Sequence, residues 1–286
     1  MASSDLAHNL VRRRVDEFDQ DPYLAGRLDP NRQLDHFIQV ILSFSNGSVR
    51  RDRGILDPPV IDPTHSDAIV GTCRLIADIA KNDSSLVKGP LRLASQHWIR
   101  TNLRPTPGGI VPPLAETEFV RPDQVFSPVH SPKPFGVGLF TSTATSGGKS
   151  MWRSYLDMFP TSILNPLPWH TWKVEVDTKA VSILEVTTAS EWAAFVDKYA
   201  QHHSGLIYPE WPLVAQDYDA VHLTLRAIAA IQGIAFRTRQ GITAPAFWDV
   251  EQTLWLRWGF SSVSLVDVVN EQLRGQPRKD DDGFAR

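Results

Sequence analysis

Residues 134–156 read PFGVGLFTSTATSGGKSMWRSYL. Gly136 to Thr143 has the aromatic and β-branched character of a strand, and Ser150 to Asp157 is predicted to be a helix. Two glycines one residue apart, Gly136 and Gly138, let a flat ligand approach the backbone. Phe140 and Tyr155 offer stacking faces, and Ser142, Thr143 and Ser150 offer hydroxyls. The same residues also make an ordinary strand with a hydroxyl-rich turn. Gly148-Lys149-Ser150 nearly completes a phosphate loop, but Thr143 stands where that loop requires glycine.

Downstream the chain alternates between short strands and helices. Trp172–Val176 and Val181–Val186 are β-branched runs, and Ala189–Tyr199 has the apolar spacing of an amphipathic helix. Asp219–Leu225 is predicted as a strand, followed by an Ala/Ile-rich helix to Gln232. Glu251–Trp258 alternates as a strand does.

Upstream, Leu6, Leu10, Val11, Val15 and Phe18 recur at helical spacing. So do Leu34, Phe37, Ile38, Ile41 and Leu42, and then Ile69, Val70, Cys73, Leu75, Ile76 and Ile79. A fourth helix is predicted over Leu91–Leu103, after the Gly89-Pro90 break. Between Arg104 and Pro134 fall eight prolines, which exclude long helices, and Gln124-Val-Phe-Ser reads as a short strand there. The expected fold class is therefore α+β. A helical region, 1–110, packs on a mixed or antiparallel sheet region, 111–272, and a tail, 273–286, carries no core pattern.

The chain has 286 residues, enough for a substantial core. With 29 Lys and Arg against 32 Asp and Glu, its net charge of −3 argues against a protein that coats nucleic acid. One cysteine, Cys73, excludes an internal disulfide framework and a cysteine zinc cluster. No apolar run reaches the roughly 20 residues that span a bilayer, and the charged start is unlike a secretory signal, so a cytoplasmic protein without membrane partners is expected. Eight of the nine tryptophans lie beyond residue 150, where they are expected to form core and cleft walls, each needing a partner for its indole N–H.

Two further stretches carry chemistry. In Trp248-Asp-Val-Glu-Gln-Thr-Leu-Trp, Glu251 opens a strand, where a carboxylate beside aromatics can polarise a ribose hydroxyl and stabilise positive charge at an anomeric carbon. The plain alternative is a solvated Glu251, or one paired with Arg257. In Asp217-Tyr-Asp-Ala-Val-His222, the histidine on an apolar strand is expected to be a bonded core residue. His202, His203, His222, Asp217 and Asp219 lack the helical pairing of a zinc protease, and no metal is expected.

The order of these stretches resembles that of ADP-ribosyltransferases. Phe135-Gly-Val-Gly-Leu-Phe-Thr-Ser-Thr, then Lys149-Ser150 and Tyr155, is similar to the family's NAD-binding run; Asp217–His222 is similar to a later strand; and Val250-Glu251-Gln-Thr-Leu-Trp is similar to the strand with its catalytic glutamate. Ser142-Thr143 resembles the Ser-Thr-Ser element of the toxin branch. The resemblance covers about 125–260 and implies an ADP-ribosyltransferase-like split sheet using NAD as co-substrate. It implies Glu251 as the catalytic carboxylate and Tyr155 as a stacking partner of nicotinamide. Gly138, Phe140, Ser142 and Thr143 would line the pocket. The polymerase branch has His-Gly on its first strand; this sequence has none, and His130 or Arg121 is the candidate for that place.

The expected activity is cleavage of the nicotinamide–ribose bond, as an ADP-ribosyltransferase or an NAD glycohydrolase, with the acceptor a protein, a nucleic acid or a small molecule. Glu251→Gln is expected to stop nicotinamide release and leave melting nearly unchanged. The alternatives are a non-catalytic nucleotide- or partner-binding protein on a degenerate version of the same sheet, and a biosynthetic enzyme modifying a small nucleotide.

Overall fold

The structure, a computed structural model, describes residues 83–102, 108, 111, 114–124, 131–158, 165–177, 181–232, 236–245, 247–248 and 250–270. The first three predicted helices, His130 and the tail lie outside the described residues. So does the strand expected at Gln124-Val-Phe-Ser, apart from Gln124, which ends a short 3-10 turn, Pro122–Gln124.

In chain order the elements are α1 (Ser84–Lys88), β1 (Gln96–Thr101), β2 (Leu139–Thr143), α2 (Met151–Met158), β3 (Trp169–Val176) and β4 (Ile183–Val186). They continue with α3 (Ala189–Lys198), β5 (Ala200–His203), β6 (Leu206–Pro209), α4 (Trp211–Asp217), β7 (Ala220–Leu223) and α5 (Leu225–Ile231). The last are β8 (Phe236–Arg237), β9 (Ile242–Thr243), β10 (Gln252–Trp255) and β11 (Phe260–Val269). The class is mixed α+β, built on one large mixed sheet that has seven strands among the described residues, in the order β11-β3-β1-β2-β10-β7-β4. All neighbours are antiparallel except β4 and β7. That parallel pair needs a crossover, and α3, the β5–β6 hairpin and α4 supply it.

The helix predicted over Leu91–Leu103 is corrected to strand β1. It lies between β3 and β2, pairing with β3 along all six of its residues. A central strand is covered on both faces and loses the alternation that identifies a half-exposed one. Gln96 and Ile99, its buried residues, stand three apart and imitate a helical face. The sheet therefore takes a central strand from before residue 110, and the domain boundary expected at 110/111 cuts through the folded unit. Strand β11, the β5–β6 hairpin and helices α1 and α4 were also not legible in the sequence. In β11 most side chains are exposed, and pairing with β3 rather than an apolar pattern holds it.

Two apolar layers flank the sheet. On one side Trp192, Phe195, Trp211 and Trp248 pack with Val221, Leu223 and Leu254; a separate cluster joins Leu139, Val174, Trp255 and Phe260. The indole N–H groups are bonded as their burial requires: Trp192 to Thr243, Trp211 to the Ser131 carbonyl, Trp248 to the Pro132 carbonyl and Trp255 to Thr141. Helix α3 starts on a capping box, in which the Thr188 hydroxyl accepts from the Glu191 amide while the Glu191 carboxylate accepts from the Thr188 amide.

Gly138 has a structural reason for being glycine. Its φ is +69°, and a Cβ there would lie 2.3 Å from the Trp255 carbonyl oxygen. Relief would require β2 and β10 to move apart, so Gly138→Ala is expected to destabilise the fold by about 3 kcal/mol. A urea titration of the two proteins measures this; equal midpoints would contradict the close strand approach.

Candidate functional site

Strands β1 and β2 bond through only two residue pairs, Gln96 with Thr143 and His97 with Ser142. Beyond them β1 stays with β3 while β2 stays with β10, through Leu139, Phe140 and Thr141. A cleft of about 590 Å³ lies at this fork. Its walls include Trp98 and Arg100 from β1, Gly138, Phe140 and Ser142 from β2, and Trp152 from α2. Aromatic walls with a few polar groups suit a ligand that carries flat rings.

Behind Ser142 lies a buried polar relay. Glu251, immediately before β10, is 0% exposed and accepts four hydrogen bonds: from the Thr143 amide (2.9 Å) and hydroxyl (2.6 Å), the Ser142 hydroxyl (3.2 Å) and His222 Nε2 (2.9 Å). The other ring nitrogen of His222 donates to Glu185, at 2.8 Å, and Glu185 also accepts from the Leu91 amide. On the far side the Thr143 hydroxyl accepts from Gln96, whose amide oxygen accepts from Thr141. The relay thus crosses the sheet from β1 to β4.

An imidazole between two carboxylate oxygens must donate from both nitrogens, so His222 is an imidazolium. Burial opposes that charge, but the bonded Glu185 and Glu251 outweigh it and raise the imidazole to about 9. For Glu185 burial pushes the carboxyl up, and the bonds from His222 and Leu91 more than reverse this, holding it below its ordinary range. The expectation that His222 is a bonded core histidine is met. Neither alternative for Glu251 holds: it is not solvated, and Arg257 pairs with Asp219 instead.

The residues singled out in the sequence divide into three groups. Gly138, Phe140 and Ser142 line the cleft. Thr143 and Glu251 lie directly behind Ser142 and do not line it. Tyr155 is buried on α2 and stacked on Trp152, with centroids 4.9 Å apart and planes 9° apart; Trp152, not Tyr155, lines the cleft. The assignment of Arg121 is corrected. Its side chain is 52% exposed and its guanidinium is bonded to Asp123 through two nitrogens, and it does not line the cleft. The cation on the strand beside β2 is Arg100, 3.3 Å from Glu118.

Other cleft residues also escaped the sequence. Lys133 donates to Gln252 Oε1 (2.8 Å) and to the Phe247 carbonyl, with its ammonium 4.6 Å from the centre of the Phe140 ring. Its position in a proline-rich loop held no periodic signal. Among the described residues no group of three His, Cys, Asp or Glu side chains is placed to hold a metal ion, and no helix is long and apolar enough to cross a membrane. Lys149, which suggested a phosphate loop, is paired with Asp157.

Comparison with known proteins leaves this geometry to stand alone: no family model, no curated protein and no solved structure matches the chain.

Proposed function

We propose that the chain binds NAD in the cleft between β1 and β2 and cleaves its nicotinamide–ribose bond, on an ADP-ribosyltransferase-like split sheet. One observation carries the reading. The three stretches that resemble this family lie on or beside β2, β7 and β10, which are neighbours in the sheet, and all three meet at Glu251, which bonds Ser142, Thr143 and His222.

The chain's own residues supply the chemistry as follows. His222 and the Thr143 donors hold the Glu251 carboxyl group in place in a dry site, where negative charge stabilises positive charge at an anomeric carbon far better than in water. The Ser142 bond, at 3.2 Å, is the longest of the four to Glu251 and the one on the cleft side. Rotation of the Ser142 side chain opens one acceptor position on Glu251 Oε2 for a ribose hydroxyl, while the same oxygen keeps its bond from the Thr143 amide. Trp152, braced by Tyr155, provides a stacking surface. Arg100 takes the first-strand place for which Arg121 and His130 were candidates, and binds the phosphates.

The full chain is incubated with NAD, with and without a cell extract, and free nicotinamide is quantified. Release is expected, and its dependence on extract separates transfer to an acceptor from hydrolysis. Arg100→Ala is expected to weaken NAD binding by about tenfold, the loss of one charge-assisted contact. The saturation of Glu251 favours a second reading, a nucleotide-binding protein without turnover. NAD binding by calorimetry with no nicotinamide released in either condition selects it, and no NAD binding at all removes both.

A further inference from the structure

Among the described residues five buried side-chain atoms have no hydrogen-bond partner: Arg92 Nε, His170 Nδ1, Thr171 Oγ1, Thr253 Oγ1 and Gln252 Nε2. Of these residues only Gln252 lines the cleft, and it is 4% exposed. The orientation of its amide is determined by chemistry. Lys133 can only donate, so the end of the amide 2.8 Å from its ammonium is the oxygen, and the NH2 is the end left unpaired. The register that sets Thr253 against Thr141 brings Gln252 level with Ser142 on the neighbouring strand. An unpaired amide donor in a buried site is unfavourable in the empty protein, and it becomes favourable when a ligand brings an acceptor.

We propose that Gln252 is a specificity-determining residue of the cleft: its Nε2 donates to the carboxamide oxygen of a flat heteroaromatic ring held between the aromatic walls. The ligand class follows from the surroundings. Phe140 and Trp152 suit a flat ring, and the neutral amide of Gln252 matches a neutral carbonyl. The identification of that ring as the nicotinamide of NAD rests on the function proposed above.

Gln252→Glu is the discriminating variant. It keeps an acceptor for Lys133 and removes the N–H donor, placing an oxygen against the ligand's oxygen. Calorimetry of the full chain with NAD and with ADP-ribose, which lacks the ring, is the measurement. The variant is expected to bind NAD at least about tenfold more weakly, to bind ADP-ribose as the wild type does, and to melt no lower. Unchanged NAD affinity overturns the proposal, and so does an equal loss for both ligands. If Gln252→Glu does not fold, Gln252→Met removes the donor, and the same NAD to ADP-ribose ratio decides. Nicotinamide alone separates this proposal from the one it rests on. Wild-type protein that ignores NAD but binds nicotinamide in a Gln252-dependent way supports the amide assignment and ends the dinucleotide reading. Wild-type protein that binds none of the three ends both.

Discussion

Glu251→Gln is expected to abolish nicotinamide release and, in the same variant, to lower stability by about 3 kcal/mol. The second half reverses the expectation drawn from sequence, where a strand-edge glutamate would be removed without structural cost. Glu251 is wholly buried and is the counter-charge of His222. A glutamine amide must turn its NH2 towards at least one of four donors, and the imidazolium is left with Glu185 alone. For a folded unit of this size, 3 kcal/mol corresponds to a fall in melting temperature of about 6–12 °C. Calorimetric melting with the nicotinamide assay, run well below the variant's midpoint, measures both. An unchanged midpoint would mean that Glu251 is not the partner of a charged His222. Full activity would remove Glu251 from the chemistry while leaving its structural part intact.

The second large effect is a loss of stability at alkaline pH, governed by His222. Its folded-state value, about 9, lies above the ordinary 6.5. The imidazolium therefore contributes its full stabilisation below about pH 6.5, and that contribution disappears as the pH rises through 9. The difference between the two values corresponds to about 3 kcal/mol. Glu185 acts in the opposite direction: its carboxyl is held low, so its contribution is present at neutral pH and is lost in acid. Urea unfolding between pH 6 and pH 10 is expected to show the alkaline decline in the wild type. In His222→Gln the decline should be absent, on a baseline already lowered because two carboxylates then share the relay without a cation. Parallel pH curves for the two proteins would assign the decline to another group.

These two effects show why a carboxylate can be located by sequence and yet be misjudged. That Glu251 opens a strand followed from the alternation after it, and β10 begins at the next residue. What lies opposite it did not follow, because His222, Ser142 and Thr143 are brought to it by strand pairing across 29 to 109 residues of chain. Phe140 and Gly138 were legible as cleft residues because they stand in the same local run. Gly138 nevertheless answers first to the Trp255 carbonyl beside it, a constraint that local sequence does not carry. Tyr155 and Trp152 are three apart on one helix, and nothing local decides which of the two rings faces the cleft.

Local sequence was enough for the mixed α+β class, for seven of the ten strands and helices between Leu139 and Ile231, and for the chemical character of β2 and the start of β10. Such features depend on patterns within a few residues, where backbone propensity and side-chain alternation act directly. Long-range pairing decided that 96–101 is the interior strand β1 and not a helix, and that the sheet has a cleft where β1 leaves β2. It also decided that Glu251 is an enclosed partner of His222, and that Arg100, Lys133 and Gln252 stand on one cleft. Each of those outcomes depends on contacts between distant parts of the chain, and burial on both faces erases from a central strand the pattern that would have announced it.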